Sequence, residues 1–282
     1  MKDLNAVFEA AAYKHAVLIG VDGMGAFCKY ANVVNINRIF EGGARTYNCS
    51  SVYRTTSGEC WGSMLLGVPP AVHGLTTRKI AKEENIGGLP TVFRLVCESF
   101  PDSHSASFCC WNTINHGIVE DLPQVTRERV GDAAASARVA EYIEERGVPK
   151  LLFVQINGID SSGHKNGYGA PQFLSDVEVI DGYIGEIYSI YKTAGALDDT
   201  LFMVTADHGG IEKTHGGDSP EEMNVFFGAA GHNVNNVILD RMSIQDIPAI
   251  ICCALGAKGG DAWESRIPTN LFKKFEVGEE NL

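Results

Sequence analysis

The sequence predicts an α/β fold, a mostly parallel central sheet flanked by helices on both faces, and two observations carry the prediction. Apolar runs at 15–21, 105–110, 151–156 and 201–205 are rich in Val, Ile, Leu and Phe without polar alternation, as strands buried on both faces are. Helical patterns lie between them, and strand, helix, strand in succession implies right-handed crossovers joining parallel strands.

Taken in order, HAVLIGV (15–21) is the first strand, far short of the roughly 20 residues a membrane span needs, as is PAIICCAL (248–255). MKDLNAVFEAAAYKHAVLIG lacks a basic-then-apolar signal with a small-residue cleavage site, so a cytoplasmic protein is expected. The eight cysteines agree: Cys109–Cys110 and Cys252–Cys253 sit in apolar runs as small hydrophobes, and no zinc-finger spacing is present. Gly42–Gly43 and Gly87–Gly88 mark turns, and the aperiodic stretch 76–90 is expected to form a small exposed flap. One helix is predicted over about 131–146, opening near Asp132 and stopping at Gly147. The clearest helix is 171–193, where Phe173, Val177, Ile180, Ile184, Ile187 and Tyr191 recur at steps of three and four, with Pro171 near the start and Gly195 past the end. With 282 residues and no Pro/Ser-rich linker, low-complexity tract or repeat, residues 1–282 are expected to form a single domain.

The net charge of −12 opposes nonspecific binding to nucleic-acid polymers or anionic membranes. A phosphorylated partner must therefore be met locally, by metal ions or a few chosen cations.

Three of the four apolar runs end near an aspartate: Asp22 after VLIGV, Asp160 after LLFVQI, Asp207 after LFMVT. Ligands of open parallel sheets bind beyond the carboxyl ends of strands, so these three segments should converge. Carboxylates brought together repel unless protonated or bridged by cations. Histidines accompany them: His164 four residues after Asp160, His208 next to Asp207, and His215 in THGG. Mixed Asp oxygen and His nitrogen donors suit zinc or a neighbouring first-row metal better than magnesium or calcium, and six ligands exceed one tetrahedral shell but serve two ions. Singly, each residue has a plain structural reading: Asp22 as a helix N-cap, DHGG as a turn, either histidine as a solvated loop residue. The joint pattern is what points to metal. NGIDSSGHK is read as a loop in which Ser161, Ser162 and Gly163 shape a turn bringing Asp160 and His164 to one ion.

A nucleophile is sought in TTSGECWGSMLLGVPPAVHG (55–74), where Thr55, Thr56 and Ser57 precede Gly58 and a helical segment with Trp61, Met64 and Leu65. A hydroxyl at a helix N-terminus is favoured by the dipole acting on an attached phosphate, although a Ser/Thr N-cap explains it equally. Composition does not choose among the three.

VDGMG, a hydroxyl followed by GVPPAVHG, DSSGHK, ADHGG, THGG and the late SIQDIPAIICCALG together resemble the alkaline phosphatase superfamily, and within it the type I phosphodiesterase/nucleotide pyrophosphatase branch, over about residues 15–256. DSSGHK is the most specific element. The resemblance implies that Asp160, His164 and His215 hold one metal while Asp22, Asp207 and His208 hold a second together with the nucleophile's oxygen. The two divalent ions are expected to be zinc, with manganese the alternative. In the family the catalytic hydroxyl lies sixteen residues before the histidine of the PxxHG turn, here His73, which selects Ser57. The branch usually has Thr at this position and Asn three residues later; this chain has Ser57 and Cys60, a departure that leaves the phosphate-oxygen contact and the preferred substrate open. The CxPxR pattern of sulfatases is missing, which argues against sulfate esters.

The implied function is hydrolysis of phosphate diesters or nucleotide pyrophosphates through a phosphoryl-serine intermediate on Ser57, with a small phosphorylated substrate as partner. A phosphomonoesterase or phosphonate-cleaving hydrolase shares the same metal core, with Lys165 and Lys213 as candidate grips for a terminal phosphate; a non-catalytic metal-stabilised binding protein is the reading from another class. Asn112, Asn115 and His116 are candidate pocket groups that turn chemistry also explains. Cys60, which could touch the phosphate, and Trp61, which could stack on a base or leaving group, are expected to pack, and His73 to anchor a turn.

Overall fold

A computed structural model describes residues 13–82 and 88–273. Its sheet contains β1 (His15–Val21), β2 (Ala44–Ser50), β3 (Ser105–Cys109), β4 (Val125–Arg129), β5 (Leu151–Ile156), β6 (Thr200–Thr205) and β7 (Asn224–Ala230), with two-residue strands β8 (Val237–Ile238) and β9 (Met242–Ser243). The strand order is β4-β3-β5-β1-β6-β7-β2-β8, with β9 also beside β2. Neighbours run parallel except at β7, which is antiparallel to both β6 and β2. Every residue of β3, β5 and β6 is buried, and in β1 only His15 is partly exposed, which is why these strands read as unbroken apolar runs.

The principal helices are α1 (Val34–Phe40), α2 (Ser57–Leu66), α3 (Val92–Ser99), α4 (Ala135–Arg146), α5 (Gly158–Asn166), α6 (Pro171–Thr193) and α7 (Ile247–Leu255). α6 packs with α1, α4 and α5 on one side of the sheet, while α2, α3 and α7 pack together on the other. The core face of α6 is the predicted set from Phe173 to Tyr191, with Asp181 buried among it. That carboxylate accepts hydrogen bonds from the backbone N–H of Asn35 (2.8 Å) and Ile36 (2.7 Å), capping the start of α1 from a distant helix.

The predicted strands and both predicted helices are present, the first helix as a 3-10 turn at Asp132–Ala134 running into α4 and ending at Gly147. Residues 158–166 differ from expectation: DSSGHK lies in a helix, not a loop. Its Gly and Ser content argues against helix on propensity, but Asp132 accepts from the backbone N–H of Asn157 (3.0 Å) and Gly158 (2.7 Å), capping α5 from another segment. In the stretch expected as a flap, Thr77–Ile80 forms a helical turn with Ile80 fully buried, while residues 83–87, including Gly87, lie outside the described residues.

Candidate active site

Because β1 lies between β5 and β6, the segments following three parallel strands emerge side by side, bringing Asp22, α5 and Asp207 to one edge. Asp22 follows β1 directly, with its backbone N–H bonded to the carbonyl of Ile156 at 2.8 Å. α5 places Asp160 and His164 one turn apart on a single face. Ser162 fastens that helix to α6 by donating to Asp176 at 2.5 Å.

The three histidines are oriented alike. Nδ1 of His164 lies 2.9 Å from the carbonyl of Lys213, that of His208 2.8 Å from Gly209 and that of His215 2.7 Å from Thr55. Each carbonyl can only accept, so each Nδ1 donates, and in the neutral ring, the form that ligates a metal, each Nε2 carries the lone pair. These Nε2 atoms point at the carboxylates and at one another: His164 and His215 approach to 3.2 Å, and the rings of His208 and His215 stack at 4.0 Å. Two lone pairs facing across 3.2 Å make no hydrogen bond, but a cation between them satisfies both.

Each carboxylate has an oxygen held by protein donors. Asp22 Oδ2 accepts from Trp61 Nε1 and Gln155 Nε2, both at 3.0 Å, leaving Oδ1 3.6 Å from His208 Nε2. Asp207 Oδ1 accepts from the backbone N–H of Gly23 (3.1 Å) and His208 (2.9 Å); its buried Oδ2 has no hydrogen-bond partner among the described residues and lies 3.3 Å from His208 Nε2. Asp160 Oδ1 accepts from the Tyr168 hydroxyl at 2.6 Å, and its Oδ2 lies 3.4 Å from His164 Nε2. An orphaned buried carboxylate oxygen facing an imidazole lone pair is the donor chemistry a divalent cation completes.

Burial, then the charge of Asp207, pushes the Asp22 carboxyl well above the usual carboxylate range; burial does the same to Asp207, with Asp160 adding to it. Burial and the neighbouring His208 push His215 down to about 4. Each shift disfavours the charged form of its group, and a bound cation would reverse that preference for the carboxylates. Burial and the Asp160 charge push the Tyr168 hydroxyl up, which keeps it a donor.

The donor atoms cluster as Asp160, His164 and His215, and as Asp22, Asp160 and His208, each set within 4.8 Å. Asp160 thus belongs to both, in addition to the pairing expected from sequence, while Asp207 reaches the second set through His208. Of the three hydroxyls, only Ser57 faces the cluster, its Oγ 3.1 Å from His208 Nε2 and 3.4 Å from Asp22 Oδ1 at the first residue of α2. Thr55 is buried and spent on structure, donating to the carbonyl of Gly217 (2.8 Å) and accepting from the N–H of Gly216 (3.0 Å), while Thr56 donates to Glu59.

The remaining candidates are structural by their contacts. Asn115 is fully buried and bonded to Ser107 and the carbonyl of Glu128, and Asn112 pairs with His116. Cys60 is buried against Ser51. His73 anchors its turn by accepting from the backbone N–H of Leu75 at 2.9 Å, and Lys213 Nζ is bonded to the carbonyl of Lys165 at 2.8 Å. Sequence reasoning missed Gln155, Tyr168 and the indole bond of Trp61. Gln155, the one polar residue of a buried strand, carried a readable signal; Tyr168 carried none. The indole reaches Asp22 because residue 20 is glycine: a Cβ there would lie 2.4 Å from the Trp61 ring.

This is the fold of the alkaline phosphatase superfamily, and the family match agrees with it. The model of the type I phosphodiesterase/nucleotide pyrophosphatase family matches residues 103–260, over half of the 282 residues, and the chain belongs to that family. The matched region carries Asp160, His164, Asp207, His208 and His215; Asp22 and Ser57 precede it. Murine ectonucleotide pyrophosphatase/phosphodiesterase 5 superposes with a TM-score of 0.73 at 13% identity, over 86% of this chain and 95% of that one. An inactive variant of the murine protein has been solved in complex with AMP. A 2-O GAG sulfatase shares the fold at a TM-score of 0.72 and 12% identity, covering 90% of this chain and 73% of that one. In sequence, GPI ethanolamine phosphate transferase 1 of Chaetomium globosum is 34% identical over 59 residues, 21% of this chain and only 6% of that relative's length. No helix among the described residues is long and apolar enough to cross a membrane.

Proposed function

We propose that the chain hydrolyses phosphate diesters or nucleotide pyrophosphates through a phosphoryl-serine intermediate on Ser57, using two divalent ions, with zinc favoured and manganese the alternative. The observation that carries the reading is the position of Ser57 Oγ: at the N-terminus of α2, 3.1 Å from His208 Nε2 and 3.4 Å from Asp22 Oδ1. Asp22, Asp207 and His208 would hold one ion beside Ser57, and Asp160, His164 and His215 the other. Such ions supply positive charge for the non-bridging phosphate oxygens and lower the pKa of a hydroxyl or water. Ser57 Oγ attacks phosphorus and gives up its proton while the ester oxygen opposite departs and takes up a proton; water then attacks phosphorus, the Oγ–phosphorus bond breaks, and one of the water's protons goes to Oγ. The N-terminus of α2 favours the phosphate at that point.

The AMP held by the murine relative supports a nucleotide-sized substrate. Of the two candidate grips for a terminal phosphate, Lys213 is tied to the Lys165 carbonyl, which supports diesters over monoesters. The test is the rate on a chromogenic diester and on its matching monoester, before and after chelation and zinc add-back. Chelation should abolish turnover, the diester should be faster, and Ser57→Ala should lose roughly four orders of magnitude or more while still binding two ions. Full rate in Ser57→Ala would remove Ser57 as the nucleophile.

A further inference from the structure

We infer that Tyr168 is a positioning residue that fixes which oxygens Asp160 offers to a cation, an inference that rests on the two-ion reading above. Asp160 has donor atoms in both candidate clusters, so its carboxylate orientation decides how it is divided between them. The terminal torsion of an aspartate is broad and two-fold, and nothing intrinsic holds one orientation. The Tyr168 hydroxyl does so by donating to Oδ1 at 2.6 Å, with Oδ2 then 3.4 Å from His164 Nε2 and Oδ1 3.5 Å from His215 Nε2.

The ring is itself held from several sides. Gly167, at a φ of 103°, turns the chain out of α5, and the Tyr168 N–H bonds to the carbonyl of Glu212 at 2.7 Å. Gly163 on α5 and Gly210 after β6 leave the space the ring fills: a Cβ at either would lie 2.5 Å from it. Phe173 packs against the ring at 5.6 Å between centroids. Tyr168 therefore bridges the helix bearing Asp160 and His164 and the loop leading to His215, and its hydroxyl is spent on their shared carboxylate. Two glycines cleared for one ring mark a side chain whose placement matters beyond filling volume.

The experiment is a calorimetric zinc titration of chelator-stripped wild type and Tyr168→Phe, with melting of the stripped proteins and the diester rate alongside. Phenylalanine keeps the ring and its packing, so the stripped variant should still melt cooperatively, about 2–4 °C below wild type for the lost hydrogen bond. One of the two zinc equivalents should weaken about 10–100-fold while the other stays within about 3-fold, and kcat should fall more than KM rises. Two unchanged equivalents in Tyr168→Phe would overturn this inference alone. A wild type that takes up no second equivalent would overturn the two-ion reading and this inference with it.

Discussion

The side chains of Asp22, Asp207 and His208 are 2%, 0% and 0% exposed, whereas those of Asp160, His164 and His215 are 16%, 45% and 12% exposed. The first group sits at the ends of two central strands, the second on α5 and further along the loop that follows β6. Burial makes the first group costly: two carboxyls pushed well above their usual range and one oxygen without a hydrogen-bond partner among the described residues. The second group is cheap to expose and is held mainly by hydrogen bonds from its surroundings. Proximity to the nucleophile therefore goes with burial, and the more accessible half lies toward solvent.

The sharpest way to break this contrast is Asp207→Asn. The new amide can donate to His208 Nε2, relieving the orphaned oxygen, so the stripped protein should gain about 1–2 kcal/mol in denaturant unfolding. Diester turnover should nevertheless fall by more than about 100-fold, beyond the loss typical of an outer partner. A stripped variant less stable than wild type would show that Asp207 is not strained by its burial. At the exposed half, His164→Ala should weaken one zinc equivalent by more than about 100-fold, beyond the loss typical of an outer partner, yet change stripped-state stability by no more than about 0.5 kcal/mol, as surface substitutions do.

Thr55→Val tests the tie between the nucleophile segment and the His215 loop. Its lost bonds to Gly216 and Gly217 should cost about 1–2 kcal/mol, read by denaturation, and the diester rate should drop without loss of the buried half's ion.

The smallest effect concerns His73, outside both halves, which burial pushes down to about 4. Its folded pKa lies below its unfolded value, so its contribution to stability is complete above pH 6.5 and is lost as pH falls toward 4. His215 acts in the same sense, whereas the raised Asp22 and Asp207 act oppositely, favouring the stripped fold at lower pH. The stability advantage of wild type over His73→Gln should therefore shrink by about 1–2 kcal/mol between pH 7 and pH 5. An advantage independent of pH would mean that His73 titrates normally.

The central strands were legible because burial on both faces erases alternation, and the long helix because one face recurs at 3.6 residues. β7 is just as apolar, but local sequence does not say that NVFFGAA runs antiparallel; that is set by its pairing with β6 and β2. The helix around DSSGHK was illegible for a related reason, since its cap comes from Asp132, some 25 positions upstream. Asp22, Asp160, Asp207 and the three histidines stood out because charged groups after buried strands are expensive. Gln155, Trp61 and Tyr168, which hold those carboxylates, are common residue types whose role exists only once the chain is folded.

Gly20 shows where redesign of such a protein would go astray. It is the last residue but one of β1, where a scheme rewarding strand propensity would install valine or isoleucine. Its missing side chain makes room for the Trp61 indole and thus for one of the two bonds on Asp22 Oδ2. A variant improved at position 20 by that criterion would displace the indole from Asp22, so thermal screening alone would be a poor guide there. Selecting for ion affinity would keep the glycine.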